Sequence, residues 1–421
     1  MHLRPGRLAG FAALGQALTS SFTRAGLLSL EPQFSIRVPW HNREREAVMQ
    51  PVSRRNLMKA AAIVPYGAVR ATAANSAVKV GLIGAGGRGT FDAGILAKDP
   101  RARLVGLCDI FDDRIEAAKK KIPVENPKVY KNYQDLLASD VDAVIIATPV
   151  FLHPEHFEAA VKAGKHIYIE KPAGLDVAGC RRVIHAADSA DRKLNITFGF
   201  QQRYGQGYLK ARDLVASGGI GQIRMAHAHW IKGAVPPNAQ PKPKPANYEE
   251  KIREWHVWKD TFGDVLVETY CHGIDVLNWF LGGHPTKAYG TGGRTFEKRG
   301  DIMDHVDVTF DYADKVQAVL TGSQITPAFY RSVNEQFFGS AGVIETAREY
   351  WTHYRGKGDT VTEKSPREIT IDSIEAFVKR IQDGKPENVG VRAAESTLSA
   401  IMGQMAIEQR REVTWDEVMK G

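Results

Sequence analysis

The chain has 421 residues, of which 43% are hydrophobic and 25% charged, so it has a globular composition and enough length for two domains. This excludes an intrinsically disordered protein. The formal net charge is +8, but residues 1–73 carry ten Lys or Arg against three Asp or Glu and so account for +7 of it. The rest is nearly neutral, which argues against a nucleic-acid partner. Cys108, Cys180 and Cys271 form neither a metal-type cluster nor a disulfide framework, so we expect no metal site.

Residues 1–73 form a predicted leader that ends in an export signal. Residues 53–59 match the twin-arginine pattern, a modest apolar run follows at 60–69, and the small residues 71–73 offer a cleavage site. Met49 gives the usual spacing of such a signal and is the alternative start. The competing interpretation is a chance arginine pair before a poor signal. The order of these features predicts a bacterial protein that the twin-arginine export machinery delivers to the periplasm or the extracellular space.

From Val78 onward, β-rich runs alternate with helical patterns in the order typical of a doubly wound parallel sheet. Strands are predicted at 78–83, 103–108, 143–147, 166–169 and 195–200. The pattern predicts an α/β fold with a Rossmann domain over residues 74–203.

After residue 203 the pattern changes to longer alternating runs, which are typical of an antiparallel sheet. These runs lie at 223–230, 286–293, 305–312 and 317–323. They predict a second α+β domain over 204–421, with a large, mostly antiparallel open sheet and a C-terminal helix. A proline- and lysine-rich stretch at 235–246 predicts an extended loop, either a passive surface loop or an active-site lid.

A glycine-rich turn follows the first predicted strand directly and matches the G-x-G-x-x-G pattern of dinucleotide sites. The first glycine permits a tight turn, the second lets the backbone approach a pyrophosphate, and the third allows close helix packing. An acidic residue twenty positions later ends the second strand, where its carboxylate can accept from the ribose hydroxyls. The predicted cofactor-binding residues are Gly84, Gly86, Gly87, Arg88, Gly89 and Asp109. NAD is the expected cofactor, and NADP is the alternative, because Arg88 could reach a 2′-phosphate.

The segments Ala147-Thr148-Pro149, His153 and Glu170-Lys171-Pro172 resemble the signature of the glucose-fructose oxidoreductase and inositol dehydrogenase family, called Gfo/Idh/MocA. The resemblance covers nearly the whole chain from residue 78. It implies a substrate held between the second-domain sheet and the nicotinamide, with Lys171 beside the reacting hydroxyl. It also implies cofactor-side or substrate-side roles, each with a structural alternative, for Thr148, Pro149, His153, Glu170 and Arg203.

The stretch 263–279 supplies the second catalytic element. Glu268, His272 and Asp275 are spaced i, i+4 and i+7, which places them on one face if the segment is a single helix. The Gfo/Idh/MocA family, which this sequence resembles, has an Asp-x-x-x-His pair at this point. This sequence differs in that Glu268 stands where the family has the aspartate. We predict that His272 is the general base, that Glu268 fixes its tautomer, and that Lys171 stabilises the developing alkoxide. Asp275 is predicted to contact a substrate hydroxyl or to support such a contact.

The expected function is hydride transfer between a sugar or cyclitol CH–OH and a tightly held NAD(P), because an exported enzyme has no obvious pool of free dinucleotide. One alternative is redox-assisted glycoside hydrolysis, in which the same bound cofactor is oxidised and reduced within each cycle. Another is a non-catalytic sugar-binding protein. Trp255 is a candidate for stacking on a sugar face, with core packing as the competing interpretation. We also expect a homo-oligomer formed through the second-domain sheet.

Overall fold

The computed structural model describes residues 77–233, 243–295 and 300–420, all within one compact unit. The predicted leader and export signal lie outside the described residues, as does most of the predicted proline- and lysine-rich loop. Within the described part of the chain, no helix is both long and apolar enough to cross a membrane.

Six strands form the first sheet. They are β1 (Val78–Ile83), β2 (Ala102–Cys108), β3 (Lys128–Tyr130), β4 (Ala143–Ile146), β5 (His166–Ile169) and β6 (Ile196–Phe198). All run parallel, in the order β3-β2-β1-β4-β5-β6, which confirms the predicted doubly wound sheet. Every residue of β4 is buried, as expected for a parallel strand covered on both faces. The short edge strand β3 was not predicted, because its residues are only partly buried and lack an apolar run.

Helices connect these strands. They are α1 (Gly87–Leu96), α2 (Asp112–Lys121), α3 (Tyr133–Leu137), α4 (His153–Lys162) and α5 (Val177–Ser189). Local sequence explains several boundaries: α2 has two aspartates in its first turn and three lysines in its last, which complement the helix dipole. The strand order reverses between β1 and β4. The carboxyl ends of these two strands therefore border the crevice where such sheets bind ligands.

Nine strands form the second sheet. They are β7 (Ile223–Lys232), β8 (Lys287–Gly293), β9 (His305–Asp311), β10 (Gln317–Ser323), β11 (Arg331–Gly339), β12 (Val343–Ala347), β13 (Tyr350–Gly356), β14 (Asp359–Lys364) and β15 (Val413–Thr414). Their order is β14-β13-β12-β11-β7-β10-β9-β8-β15. Only the β7–β10 pair is parallel, so the predicted mostly antiparallel sheet is confirmed. Alternate residues of β10 are buried, which matches the period-2 pattern in its sequence.

The remaining helices lie after β6 in the chain. They are α6 (Gln206–Ala216), α7 (Tyr248–Arg253), α8 (Lys259–Phe262), α9 (Val265–Glu268), α10 (Cys271–Leu281), α11 (Ile369–Gln382), α12 (Gly390–Gln409) and α13 (Trp415–Lys420). Two of them pack closely on the second sheet. A Cβ at Gly273 of α10 would lie 3.2 Å from the Cβ of Ala228, and one at Gly403 of α12 would lie 3.1 Å from Phe310.

Helix α11 returns to the first sheet, although the sequence prediction assigned everything after residue 203 to the second domain. Its Phe377 ring meets the Tyr168 ring of β5 edge-on at 5.7 Å. Ile374, Phe377 and Val378 belong to the same buried cluster as β1 and β2 residues. The first domain is therefore completed by a helix more than 150 residues further along the chain, a contact that no local pattern reveals.

Candidate active site

The glycine turn between β1 and α1 has the geometry of a phosphate cradle. Gly84 has φ +92°, and a Cβ there would lie 2.7 Å from the carbonyl oxygen of Ala147. A Cβ at Gly89 would lie 2.0 Å from the carbonyl oxygen of Gly84, so only glycine permits this approach of helix and turn. Beside Gly86 and Gly87, in contrast, there is open space at the N-terminus of α1. The residues present fit a dinucleotide pyrophosphate.

Asp109 lies at the end of β2, facing this turn. One carboxylate oxygen accepts from the Ala85 N–H at 2.9 Å, and the other accepts from the Phe111 N–H at 3.0 Å. Burial raises the pKa of Asp109, while these two hydrogen bonds oppose the rise. Each oxygen keeps acceptor capacity for a ribose hydroxyl.

A cavity of about 480 Å³ connects the turn with Asp109. Its walls include the predicted residues Gly84, Gly86, Gly87, Arg88, Asp109, Thr148 and Pro149. Helix α7 and the turn after it, which we call the strap (residues 248–255), form a further wall, of which only Trp255 was predicted to belong to the site. Arg253 of the strap pairs with Asp113 at 2.8 Å, and its guanidinium lies 3.8 Å from the centre of the Phe111 ring.

Arg88 is the residue for which NADP was kept as the alternative cofactor, because its side chain could reach a 2′-phosphate. Its guanidinium lies 2.9 Å from Glu170 and 3.1 Å from Asp92, so two carboxylates already hold it. Glu170 is nearly buried and also accepts from the Gln201 side chain at 3.2 Å. These two carboxylates would compete with a 2′-phosphate for the guanidinium, which favours the prediction of NAD.

A smaller cavity, of about 270 Å³, adjoins the first. Both are lined by Arg88, Ala147, Thr148 and Trp255. The smaller cavity brings together the three predicted catalytic residues, which come from distant parts of the chain: Lys171, Glu268 and His272. Glu170, His153, Gln201, Val150 and Arg348 complete its walls.

Lys171 follows β5, immediately before a cis peptide bond to Pro172. Its ammonium donates to a carboxylate oxygen of Glu268 at 2.5 Å and to the backbone carbonyl of Glu268 at 2.6 Å. Burial acts against both charges, but their mutual attraction outweighs it: the pKa of Lys171 is raised and that of Glu268 is lowered. The pair is thus charged at neutral pH, and the hydroxyl of Thr269 donates to the other Glu268 oxygen at 2.8 Å.

The structure corrects the predicted partner of His272. Helix α9 ends at Glu268 and α10 begins at Cys271, so the segment is not one helix, and Glu268 binds Lys171 instead of the imidazole. His272 stacks on Trp230 with 5.2 Å between ring centres, and its buried Nδ1 has no hydrogen-bond partner in the described part of the chain. Burial, reinforced by Lys171 and Arg348, places its pKa well below the ordinary value, so the imidazole is neutral.

His153 and Thr148 shape the cavity wall. The His153 ring nitrogens lie 2.7 Å from the carbonyl oxygen of Pro172 and 2.9 Å from that of Thr148. The Thr148 hydroxyl hydrogen-bonds with Nδ1 of His156 at 3.0 Å, and burial lowers the pKa of His156 to about 4. His153 thereby ties the loop after β4 to the segment that carries Lys171, and so acts as a positioning residue.

Arg203 and Asp275, both predicted to approach the substrate, lie outside the catalytic cavity. The Arg203 guanidinium forms two close contacts with the Asp275 carboxylate, both at 2.8 Å, and the Ser396 hydroxyl donates to the same carboxylate at 2.8 Å. Only 1% of the Asp275 side chain is exposed. The pair cross-links α10 to the segment before α6, and its burial keeps the Asp275 carboxylate away from a substrate in the catalytic cavity.

Arg348 is the residue that sequence reasoning missed in the smaller cavity. It lies at the turn between β12 and β13, and its guanidinium is 5.9 Å from the centre of the Trp230 ring. Nothing in the sequence around Arg348 distinguishes it from a solvated arginine at a hairpin. Only the order of strands in the second sheet brings this turn beside β7 and the catalytic residues.

Two sequence models of the Gfo/Idh/MocA family match the chain. One, described as the oxidoreductase family with an NAD-binding Rossmann fold, matches residues 78–198. The other, the GFO/IDH/MocA C-terminal domain, matches residues 208–345, so that together they cover more than half of the chain. The fold and the site thus define a protein with a dinucleotide-binding Rossmann domain and an adjoining cavity, to which the second sheet contributes Arg348. The chain belongs to the Gfo/Idh/MocA oxidoreductase family.

Similar proteins include the inositol 2-dehydrogenase of Salmonella typhimurium, 31% identical over 207 residues, which is 48% of this chain and 54% of that protein. The matched segment thus spans about half the length of such relatives. The myo-inositol 2-dehydrogenase of Thermotoga maritima is 26% identical over 359 residues, covering 81% of this chain and 100% of that protein.

Solved structures share the fold. Levoglucosan dehydrogenase in complex with NADH and L-sorbose has a TM-score of 0.70 at 16% identity, covering 81% of this chain and all of that one. The scyllo-inositol dehydrogenase of Lactobacillus casei with bound NAD(H) and scyllo-inositol has a TM-score of 0.64 at 23% identity, covering 80% of this chain and 99% of that one.

Proposed function

We propose that the chain is an NAD-dependent oxidoreductase that transfers hydride between a CH–OH group of a sugar or cyclitol and a tightly held nicotinamide. The observation that carries the proposal is the junction of the two cavities: a dinucleotide cradle opens directly into a chamber that holds Lys171, Glu268 and His272. The similarity to inositol 2-dehydrogenases supports a polyhydroxylated substrate.

A bound nicotinamide would supply the hydride acceptor. The protein supplies the proton chemistry. The charged Lys171 ammonium, held by Glu268, donates a hydrogen bond to the substrate oxygen and stabilises negative charge that grows there. The neutral His272 imidazole accepts the hydroxyl proton. Glu268 is thus a positioning residue for Lys171, and it also keeps the ammonium charged.

The strap supports retention of the cofactor. It borders the dinucleotide cavity through Tyr248, Ile252, Arg253 and Trp255, and its contacts with Asp113 and Phe111 tie it to the Rossmann domain. An enzyme exported by the twin-arginine route, as residues 53–59 predict, would benefit from such retention. Retention also favours a second candidate, glycoside cleavage in which one bound cofactor is oxidised and reduced in each cycle.

A binding and turnover screen tests these proposals. Purified protein is titrated calorimetrically with NAD and with NADP, and is then assayed with myo-inositol, free hexoses and nitrophenyl glycosides while nicotinamide absorbance is followed. We expect tighter binding of NAD and a change of absorbance with a cyclitol or a sugar. Nitrophenol release without net cofactor reduction would favour the glycosidase. Failure to bind either dinucleotide would refute both enzymatic functions.

The pH dependence of kcat/KM is expected to show no inflection at about pH 6.5, the ordinary pKa of histidine. A base must be neutral to accept a proton, so activity is lost as pH falls through the His272 pKa, which lies well below that value. Trp230→Ala removes part of the ring packing that buries the imidazole, and should move the acidic inflection upward toward 6.5. An unchanged inflection in that variant would contradict the role of His272.

Arg253→Ala is expected to release NAD about fivefold faster, because the cation–π contact with Phe111 and the ion pair with Asp113 are both lost. Stopped-flow displacement of NADH measures the rate. Arg182→Ala is the matched control, since Arg182 forms a comparable exposed ion pair with Glu158 on α4, away from the cavity walls. Equal release rates for the two variants would show that the strap does not retain the cofactor.

A further inference from the structure

The cationic side chains that line the smaller cavity differ in their distance from the nearest paired carboxylate. Lys171 is paired with Glu268, and Arg88 is paired with Glu170. Arg348 is different: its ion-pair partner, Glu368, lies 3.7 Å away, beyond hydrogen-bond distance. The Nε of Arg348 is buried and has no hydrogen-bond partner among the described residues. Among the described cations of this cavity, the Arg348 guanidinium is therefore paired with a carboxylate at a longer distance than those of Lys171 and Arg88.

A second cation lies near Arg348. Lys232 ends β7, directly opposite Arg331 of β11, and like charges facing each other across two strands are destabilising. Across 77–233, 243–295 and 300–420, no carboxylate forms an ion pair with Lys232. Arg331 is itself 3.7 Å from the carboxylate of Glu349, so Lys232 is the less paired of the two cations. Burial lowers the pKa of Lys232, and Arg331 and Arg348 lower it further, whereas Glu268 opposes the shift.

Arg348 lies on the substrate side of the site. Arg348 lines the smaller cavity and is absent from the walls of the larger one, where Gly86 and Gly87 form the phosphate cradle. It lies over Trp230, whose other neighbour is the His272 ring, so an anion bound by Arg348 would be close to the general base. The volume of about 270 Å³ lies just below the range of about 300–1,000 Å³ for small-molecule sites, so the cavity suits a ligand no larger than a single ring.

We propose that the substrate is an acidic sugar whose carboxylate is bound by Arg348, with Lys232 contributing longer-range attraction. The inference rests on the proposed oxidoreductase function, in that it names the substrate class of the same site. A guanidinium binds a planar carboxylate through two parallel hydrogen bonds, which a neutral sugar hydroxymethyl group does not match. We therefore expect the weakly paired guanidinium of Arg348 to favour a uronic acid over the corresponding neutral hexose.

Calorimetry on protein loaded with NAD tests this directly, using D-glucuronate against D-glucose and D-galacturonate against D-galactose. We expect at least one acid to bind tenfold or more tightly than its neutral counterpart. Arg348→Gln should weaken binding of that acid about 10- to 100-fold, the range for a lost charge-assisted contact, while leaving the NAD affinity within about twofold. Arg355→Gln, an exposed arginine of β13 that pairs with Asp359, is the matched control.

Arg348→Lys keeps the positive charge but cannot form two parallel hydrogen bonds with a carboxylate, so this variant should lose part of the preference for the acid. It replaces Arg348→Gln as the test if the glutamine variant does not fold. Acids that bind no more tightly than neutral sugars, or an Arg348→Gln variant that behaves like Arg355→Gln, would overturn the inference while NAD binding and turnover of neutral substrates stand. Absence of NAD binding would instead overturn the proposed oxidoreductase function. The two failures are therefore distinguishable.

Discussion

Replacing Lys171 by alanine is expected to lower kcat about 10²- to 10⁴-fold while changing the dissociation constant of NAD by less than about threefold. The side chain contacts the catalytic cavity and not the glycine turn, so its loss removes stabilisation of the substrate oxygen without disturbing the cradle. Steady-state kinetics with the substrate found by screening and calorimetric titration with NAD measure the two quantities separately.

Lys165→Ala is the matched control for this variant. Lys165 and Lys171 flank the same strand, β5, but the ammonium of Lys165 donates to the carbonyl oxygens of Ser139 and Val141 at the opposite edge of the sheet. It should leave kcat nearly unchanged. Because Lys171→Ala also deprives buried Glu268 of its counter-ion, thermal unfolding is measured alongside. A folded Lys171→Ala protein with wild-type turnover would refute the proton chemistry proposed here.

Asp275→Ala is expected to reduce the free energy of unfolding by about 3–5 kcal/mol, the usual cost of breaking a buried ion pair from one side. Only 10% of the Arg203 side chain is exposed, so its guanidinium would be left without a counter-ion in the interior. Urea unfolding measures the loss. The expected effect is on stability, because Asp275 does not line the catalytic cavity.

A variant that removes both charges of the Arg203–Asp275 ion pair distinguishes a structural role of the pair from a role in binding substrate. The double variant Arg203→Met, Asp275→Leu should recover much of the lost stability, since two apolar side chains of similar size replace the pair. Asp307→Ala, which loses an exposed contact with Thr321, serves as the control and should shift stability by less than about 0.5 kcal/mol. An Asp275→Ala protein of native stability with a raised KM would restore the substrate contact predicted from sequence.

Lys171 and Asp275 differ in how the structure places them relative to the site predicted from sequence. Lys171 and His272 were predicted from motifs, and the structure places both in one cavity with Glu268. Asp275 was predicted from helical spacing with Glu268, but the break between α9 and α10 separates the two carboxylates, one binding Lys171 and the other Arg203. Spacing gives the face of a helix only while the helix continues.

The sequence alone determined the features that depend on short-range geometry. The parallel sheet follows from apolar strand runs alternating with helices, and the cradle follows from glycines that the turn at Gly84 and the packing at Gly89 require. Asp109 follows because it ends the strand beside that turn. The glycine turn and Asp109 lie within some 25 residues of each other, so a local pattern contains both of them.

Only the tertiary structure determined which charged side chains form ion pairs with one another. Glu268 binds Lys171 across 97 residues, Arg203 binds Asp275 across 72, and Arg348 reaches the catalytic cavity from a hairpin of the second sheet. A buried ion takes whichever partner the packed elements bring within reach, because an unpaired charge is costly in the interior. The sequence shows which charged residues exist, and the packing of the folded elements selects their partners.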